Sequence, residues 1–150
     1  MSSASGRVVA VCAGPGGIPK PAVESAAVTV DGLAGDGHRF KLHGGRKRAV
    51  CLFSVEDYAS LRRDGVAADP PGAFGENLTI EGLAFDTLRA GDRLRVGAEV
   101  ELEITDIREP CGTLKSIDER FPNLMVGRSG FVCSVVNEGQ LQAGMNVTRV

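Results

Sequence analysis

Arg93-Leu94-Arg95-Val96-Gly97-Ala98-Glu99-Val100-Glu101-Leu102-Glu103-Ile104 alternates apolar and polar residues on both sides of a Gly-Ala turn. A period of two is the signature of a strand with one buried and one wet face. The segment therefore reads as a β-hairpin, Arg93–Val96 against Glu99–Ile104. At Asp106-Ile107 the phase slips by one residue, which marks a bulge or the end of the strand. The other apolar runs are as short: Arg7–Cys12, Val23–Val30, Ala49–Phe53, Phe131–Val136 and Asn146–Val150. One helix is signalled. Ser54 can cap it, Asp57 completes a capping box, and Gly65 supplies the left-handed stop. Many short strands, frequent turns and one or two short helices predict a mainly β fold, a closed or nearly closed β-barrel.

The chain has 150 residues, 43% of them hydrophobic and 24% charged, which suits one folded domain over residues 1–150. Met1 to Gly6 is Ser-rich and expected to be disordered. It lacks the apolar stretch of a secretory signal, and no run is long enough to span a bilayer. The expected location is the cytoplasm. There are 20 glycines, which argues against a helical bundle. A net charge of −2 and the absence of Trp disfavour a nucleic-acid or membrane-surface binder. The four cysteines form no C-x-x-C pair and read as free thiols.

Three segments carry possible chemistry. The first runs from Gly35 to Arg48 and holds Arg39, Lys41, Arg46, Lys47 and Arg48 with both histidines, His38 and His43. Setting those five positive charges aside from a net charge of −2 leaves the rest of the chain at −7. A cationic, glycine-rich loop on an acidic protein suits a small anion such as a phosphate. A solvated charged loop is the equal alternative. The two histidines have no third ligand at a zinc spacing, so they read as hydrogen-bonding or phosphate-facing groups. The second segment, Pro71 to Leu78, presents Glu76 and Asn77 before a strand. Asn77 offers both a donor and an acceptor to a flat heterocycle, or else satisfies backbone groups of a turn. The third is Arg108-Glu109-Pro110-Cys111-Gly112-Thr113. Cys12, Cys51 and Cys133 lie inside apolar strands and read as small buried hydrophobes. Cys111 sits between Pro and Gly, near Arg108. A neighbouring cation favours the thiolate, which attacks electrophiles and binds soft metals.

In this order, Gly35-Asp36, His43-Gly44-Gly45, Phe74-Gly75-Glu76-Asn77-Leu78, Gly91-Asp92 and Arg108-x-Pro110-Cys111 resemble the MOSC domain. That family is named after the C-terminal part of molybdenum-cofactor sulfurase. The likeness runs from Val8 to Val150 and is strongest to small stand-alone bacterial members. Some relatives carry a C-terminal helical extension not seen before Val150, and some have His-His-Gly-Gly where this chain has Leu42-His43-Gly44-Gly45.

The resemblance implies a β-barrel, a molybdenum cofactor (molybdopterin) and a functional cysteine at Cys111. In some relatives that cysteine ligates molybdenum, and the protein reduces N-hydroxylated compounds with electrons from a redox partner. In others it is thought to carry sulfur as a persulfide, which would make a cysteine desulfurase the partner. A non-catalytic binding barrel is the third possibility. With Cys111 as metal ligand, the expected cofactor contacts are Arg39, His43, Gly44, Gly45, Lys47, Glu76, Asn77 and Arg108.

Overall fold

Strand order turns the period-two hydrophobic pattern into a closed ring. A computed structural model describes residues 5–15, 18–37, 46–67, 71–108, 114–115, 117–121 and 123–150. The strands are β1 (Ser5–Cys12), β2 (Ala22–Val23), β3 (Ser25–Thr29), β4 (Gly32–Leu33), β5 (Val50–Ser54), β6 (Leu78–Glu81), β7 (Arg93–Val96), β8 (Val100–Ile107), β9 (Phe131–Asn137), β10 (Gly139–Gln142) and β11 (Asn146–Arg149). Seven strands close in the order β11-β7-β8-β9-β5-β6-β1, because β11 also pairs with β1. β2 extends the sheet beyond β1, and β10-β3-β4 form a separate small sheet. Closure removes the free edges that an open sheet of this size would expose. Ser5 and Gly6, expected to be disordered, are strand residues instead, because they pair with Thr148 and Val147 at the seam.

The hairpin is where the alternation places it, with Arg93 to Val96 opposite Glu103 to Val100. The slip near Asp106 is a bulge against β9, between Ile104 and Asp106. The expected strand Val23–Val30 is broken into β2 and β3 at Glu24. All ring pairings are antiparallel except β5 with β6. A parallel pair needs a long crossover, and here it contains the helix α1 (Val55–Arg63). Ser54 caps α1 by accepting from the Asp57 backbone N–H, and Gly65 takes φ 86° just past its end. No helix among the described residues is long and apolar enough to cross a membrane.

Two cores follow from the two faces of β5. Val50 and Leu52 point into the lumen with Val8, Ile80, Leu94, Leu102, Ile104 and Val147. Val28, Leu33 and Leu141 of the small sheet join this lumen core. The lumen is thus packed with side chains. Phe53 points outward into a second core with Tyr58, Leu61, Phe74, Phe121 and Met125. Phe74 lies at 4.9 Å from the Tyr58 ring, stacked, and at 5.2 Å from Phe53, edge-on. This outer core encloses one charged group. The Glu76 carboxylate is fully buried and accepts from Tyr58 Oη at 2.7 Å, Thr79 Oγ1 at 2.7 Å and the Gly72 N–H at 3.2 Å.

Cys12 and Cys133 are fully buried, as their apolar settings imply. Burial pushes the Cys133 thiol well above its usual value. Burial, then Glu76, pushes Cys12 up to about 12. Cys51 departs from its expected burial and is only partly covered, because it lies on the outer face between lumen-facing Val50 and Leu52.

Two outcomes follow. Tyr58→Phe removes a donor from a buried carboxylate and is expected to cost roughly 1–3 kcal/mol of stability in urea unfolding. A loss under about 0.5 kcal/mol, the range of ordinary surface changes, would contradict that role for the hydroxyl. Iodoacetamide at about pH 8 is expected to leave Cys12 and Cys133 unmodified until the protein is unfolded, as read by peptide mass spectrometry. Labelling of either in the native protein at the unfolded rate would contradict the burial.

Candidate functional site

Three backbone segments meet outside the barrel at the ends of β1, β5 and β6. The Gly- and Pro-rich segment after β1 returns on itself through Ala13 N–H to Pro21 O at 3.1 Å. Gly37 N–H donates to Gly14 O at 2.7 Å and brings in the start of the basic loop. Lys20 N–H donates to Gly72 O at 2.8 Å and brings in the segment that carries Glu76 and Asn77. That approach requires glycine. A Cβ on Gly72, at φ 84°, would lie 2.1 Å from Lys20 O and 3.1 Å from Cys12 Sγ.

Asn77 fastens this junction and is 1% exposed. Its Oδ1 accepts from the Cys51 N–H at 2.9 Å, while Nδ2 donates to Cys12 O at 3.2 Å and to Asp36 Oδ2 at 3.0 Å. One amide side chain thus ties β1, β5 and the start of the basic loop. Asp36 takes two further donors, the Gly14 N–H at 3.1 Å and Lys20 Nζ at 3.1 Å. The Lys20–Asp36 ion pair is buried, its side chains 7% and 3% exposed.

The cations around this junction are unevenly paired. Arg108 follows β8 and is anchored by its N–H to Gly130 O at 3.0 Å. Its Nη2 donates to Phe74 O, but its buried Nη1 has no hydrogen-bond partner among the described residues. The same holds for the buried Nε of Arg48. Burial raises the Cys51 thiol, and Arg108, Lys20 and Arg48 oppose the rise. A buried N–H left without an acceptor is costly, so each of these two guanidinium nitrogens favours an acceptor such as an oxyanion beside it.

The residues singled out from sequence are distributed as follows. Glu76, Asn77 and Arg108 belong to this junction. The Glu76 carboxylate and the Asn77 amide spend their hydrogen bonds inside the protein rather than presenting a free edge. Lys47 lies in the short helical turn Arg46–Arg48, with an exposed side chain and its carbonyl accepting from Thr105 Oγ1. Arg39, His43, Gly44, Gly45 and Cys111 lie outside the described residues. Sequence reading passed over Lys20, Asp36, Arg48 and Cys51 as site residues. Two of these carried a signal: Asp36 is the one acid of the basic segment, and Lys20 is the one charged residue between Ala13 and Pro21.

The comparisons with known proteins agree with this architecture. The MOSC domain profile matches residues 39–148. A protein named Reductase from Gibberella moniliformis is 30% identical over 131 residues, which cover 78% of this chain and 22% of that protein. YflK from Bacillus subtilis is 31% identical over 133 residues, 85% of this chain and 60% of YflK. The chain thus spans less than two thirds of the length of these two relatives. The crystal structure of YiiM from Geobacillus stearothermophilus superposes with a TM-score of 0.78 at 26% identity, covering 97% of this chain and 75% of that one. The chain belongs to the MOSC domain family.

Proposed function

We propose that this domain binds a molybdenum cofactor at the outer junction, with the Cys111 thiolate as metal ligand, and serves as an oxidoreductase. The observation that carries the reading is the pair of buried guanidinium nitrogens, Arg108 Nη1 and Arg48 Nε, that have no hydrogen-bond partner among the described residues. A pterin dithiolene with a phosphate tail is anionic, and guanidinium groups match oxyanions in charge and geometry. The donor set therefore fits the group. Arg39, His43, Gly44, Gly45 and Lys47 belong to the basic segment expected to face the phosphate. Cys111 supplies the soft ligand. Glu76 and Asn77 act by position. Asn77 holds the start of the basic segment against β1 and β5, and Glu76 fixes the Pro71–Asn77 turn.

When bound, the cofactor supplies two-electron redox chemistry at the metal. In the proposed reaction an N-hydroxylated compound takes up two electrons and two protons, its N–O bond breaks, and the amine or imine and water leave. A redox partner supplies the electrons. The relative named Reductase supports the redox direction. The protein's own part is to bind and orient, with the cations compensating the anionic ligand.

Protein from a cofactor-producing host is expected to contain molybdenum by elemental analysis, and Cys111→Ala is expected to lose most of it. Equal molybdenum in both would remove Cys111 as ligand. A wild-type chain without molybdenum that gains one sulfur on Cys111 from a cysteine desulfurase, by intact mass, would overturn the reading in favour of a sulfur carrier.

A further inference from the structure

We infer that a cleft beside the first turn of α1 is a binding site for a small organic cation with an apolar body, an aryl or alkyl ammonium compound. The site goes beyond the proposed cofactor site, because none of the described side chains assigned to the cofactor lines this cleft.

The cleft has a volume of about 240 Å³. Phe85, Leu88, Ile107 and Phe131 form its apolar wall. Ile107 and Phe131 are cross-strand partners where β8 ends and β9 begins. The Phe85 ring lies 5.6 Å from the Phe131 ring, tilted against it. Leu88 and Phe131 are covered by their neighbours, but Ile107 is 62% exposed. An apolar side chain in that position sheds its water only when a ligand covers it.

Two carboxylates line the same cleft. Asp57 comes from the first turn of α1 and Asp86 from the short helical turn Phe85–Thr87. Neither forms an ion pair among the described residues. The cation of the wall, Arg128, is engaged elsewhere. Its Nε donates to Leu124 O at 2.6 Å and its Nη1 to Ser60 Oγ at 2.7 Å, while Nη2 lies 2.6 Å from Asp64 Oδ2. Burial holds the Asp57 carboxyl above its usual range, and Ser54 and Arg128 offset this only in part. A carboxylate that has lost water in this way gains from a cation beside it.

The ligand class follows by exclusion. An anion would meet two carboxylates. A bare metal ion needs more donors than two, and no group of three His, Cys, Asp or Glu side chains among the described residues is placed to hold one. A neutral apolar molecule would cover the wall but leave the Asp57 carboxylate with neither water nor a counter-charge. An organic cation satisfies both surfaces. The cleft is smaller than the roughly 300–1,000 Å³ of sites for drug-sized ligands, which limits the occupant to about one ring or a short chain.

The probe is benzylamine, a one-ring ammonium ion at neutral pH, titrated into the isotope-labelled full chain and followed by amide NMR. Saturable shifts are expected at the amides of Asp57, Asp86, Ile107, Gly127 and Gly130, which border the cleft. Benzyl alcohol and benzoate, neutral and anionic analogues of similar size, are expected to bind at least about tenfold more weakly. Asp86→Asn, at an exposed position, is expected to weaken benzylamine binding about fivefold, the size of one charge pair at about 4 Å in water. Ile107→Ser is expected to weaken it about threefold, the effect of covering about 25 Å² less apolar surface. Benzyl alcohol or benzoate binding as tightly as benzylamine would overturn the inference, and so would unchanged affinity in both variants. Shifts confined to acidic side chains elsewhere, or no saturable shift at millimolar benzylamine, would overturn it too.

Discussion

The Asn77 side chain is the constraint on which the outer junction depends. Cys12 O, the Cys51 N–H and the Asp36 carboxylate come from three segments distant in sequence, and all three end on this one amide. The amide is buried, so each group left unpaired by its loss would carry a desolvation penalty of about 1–3 kcal/mol. An Asp at this position would lose the donors, and a Leu would lose both donors and acceptor. Asn meets the requirement because it donates twice and accepts from the same planar group.

The packing of the barrel is the reason the proposed site is sought outside it. Among the described residues the lumen is packed mainly with Val, Leu and Ile side chains, which offer no polar group to a ligand. β5 divides the labour: Val50 and Leu52 seal the inside, while Cys51 and Phe53 face outward. Phe53 anchors the aromatic outer core that supports the Pro71–Asn77 turn through Phe74. Cys51 sits at the boundary between that apolar core and the cations of the junction. The helix α1 is tied to the same turn, through the hydrogen bond from Tyr58 to Glu76. The fold thus holds the Pro71–Asn77 turn and the start of the basic segment on a packed base, a placement consistent with the proposed anionic ligand.

The elements read best from sequence are those whose pattern is local. The hairpin at 93–104 alternates without error, the bulge at Asp106 shows as a phase slip, and the Ser54 cap and Gly65 stop bound a single helix. Closure of the ring follows the expectation of a closed or nearly closed barrel, with β11 as the closing strand, but its two partners, β7 and β1, are not encoded in Asn146–Arg149 itself. β4, two residues long, and β10, with Gly139 and two glutamines, lack a hydrophobic period. Cys51 is half-buried rather than fully buried: it shares the outer face of β5 with Phe53, and the outer core covers Phe53 completely but Cys51 only in part. Glu76 and Asn77 were visible as polar residues before a strand. Where they point is set by Tyr58, Thr79, Cys12 and Asp36, contacts that only the folded chain assembles.

The central claim is that an anion belongs beside the two guanidinium nitrogens that have no partner among the described residues. Anomalous diffraction from crystals of the cofactor-free chain grown with arsenate tests it most directly. An arsenic peak is predicted within hydrogen-bonding distance of Arg108 Nη1 or Arg48 Nε. Arsenate bound only at other surface cations, with both of these nitrogens still unoccupied, would contradict the claim.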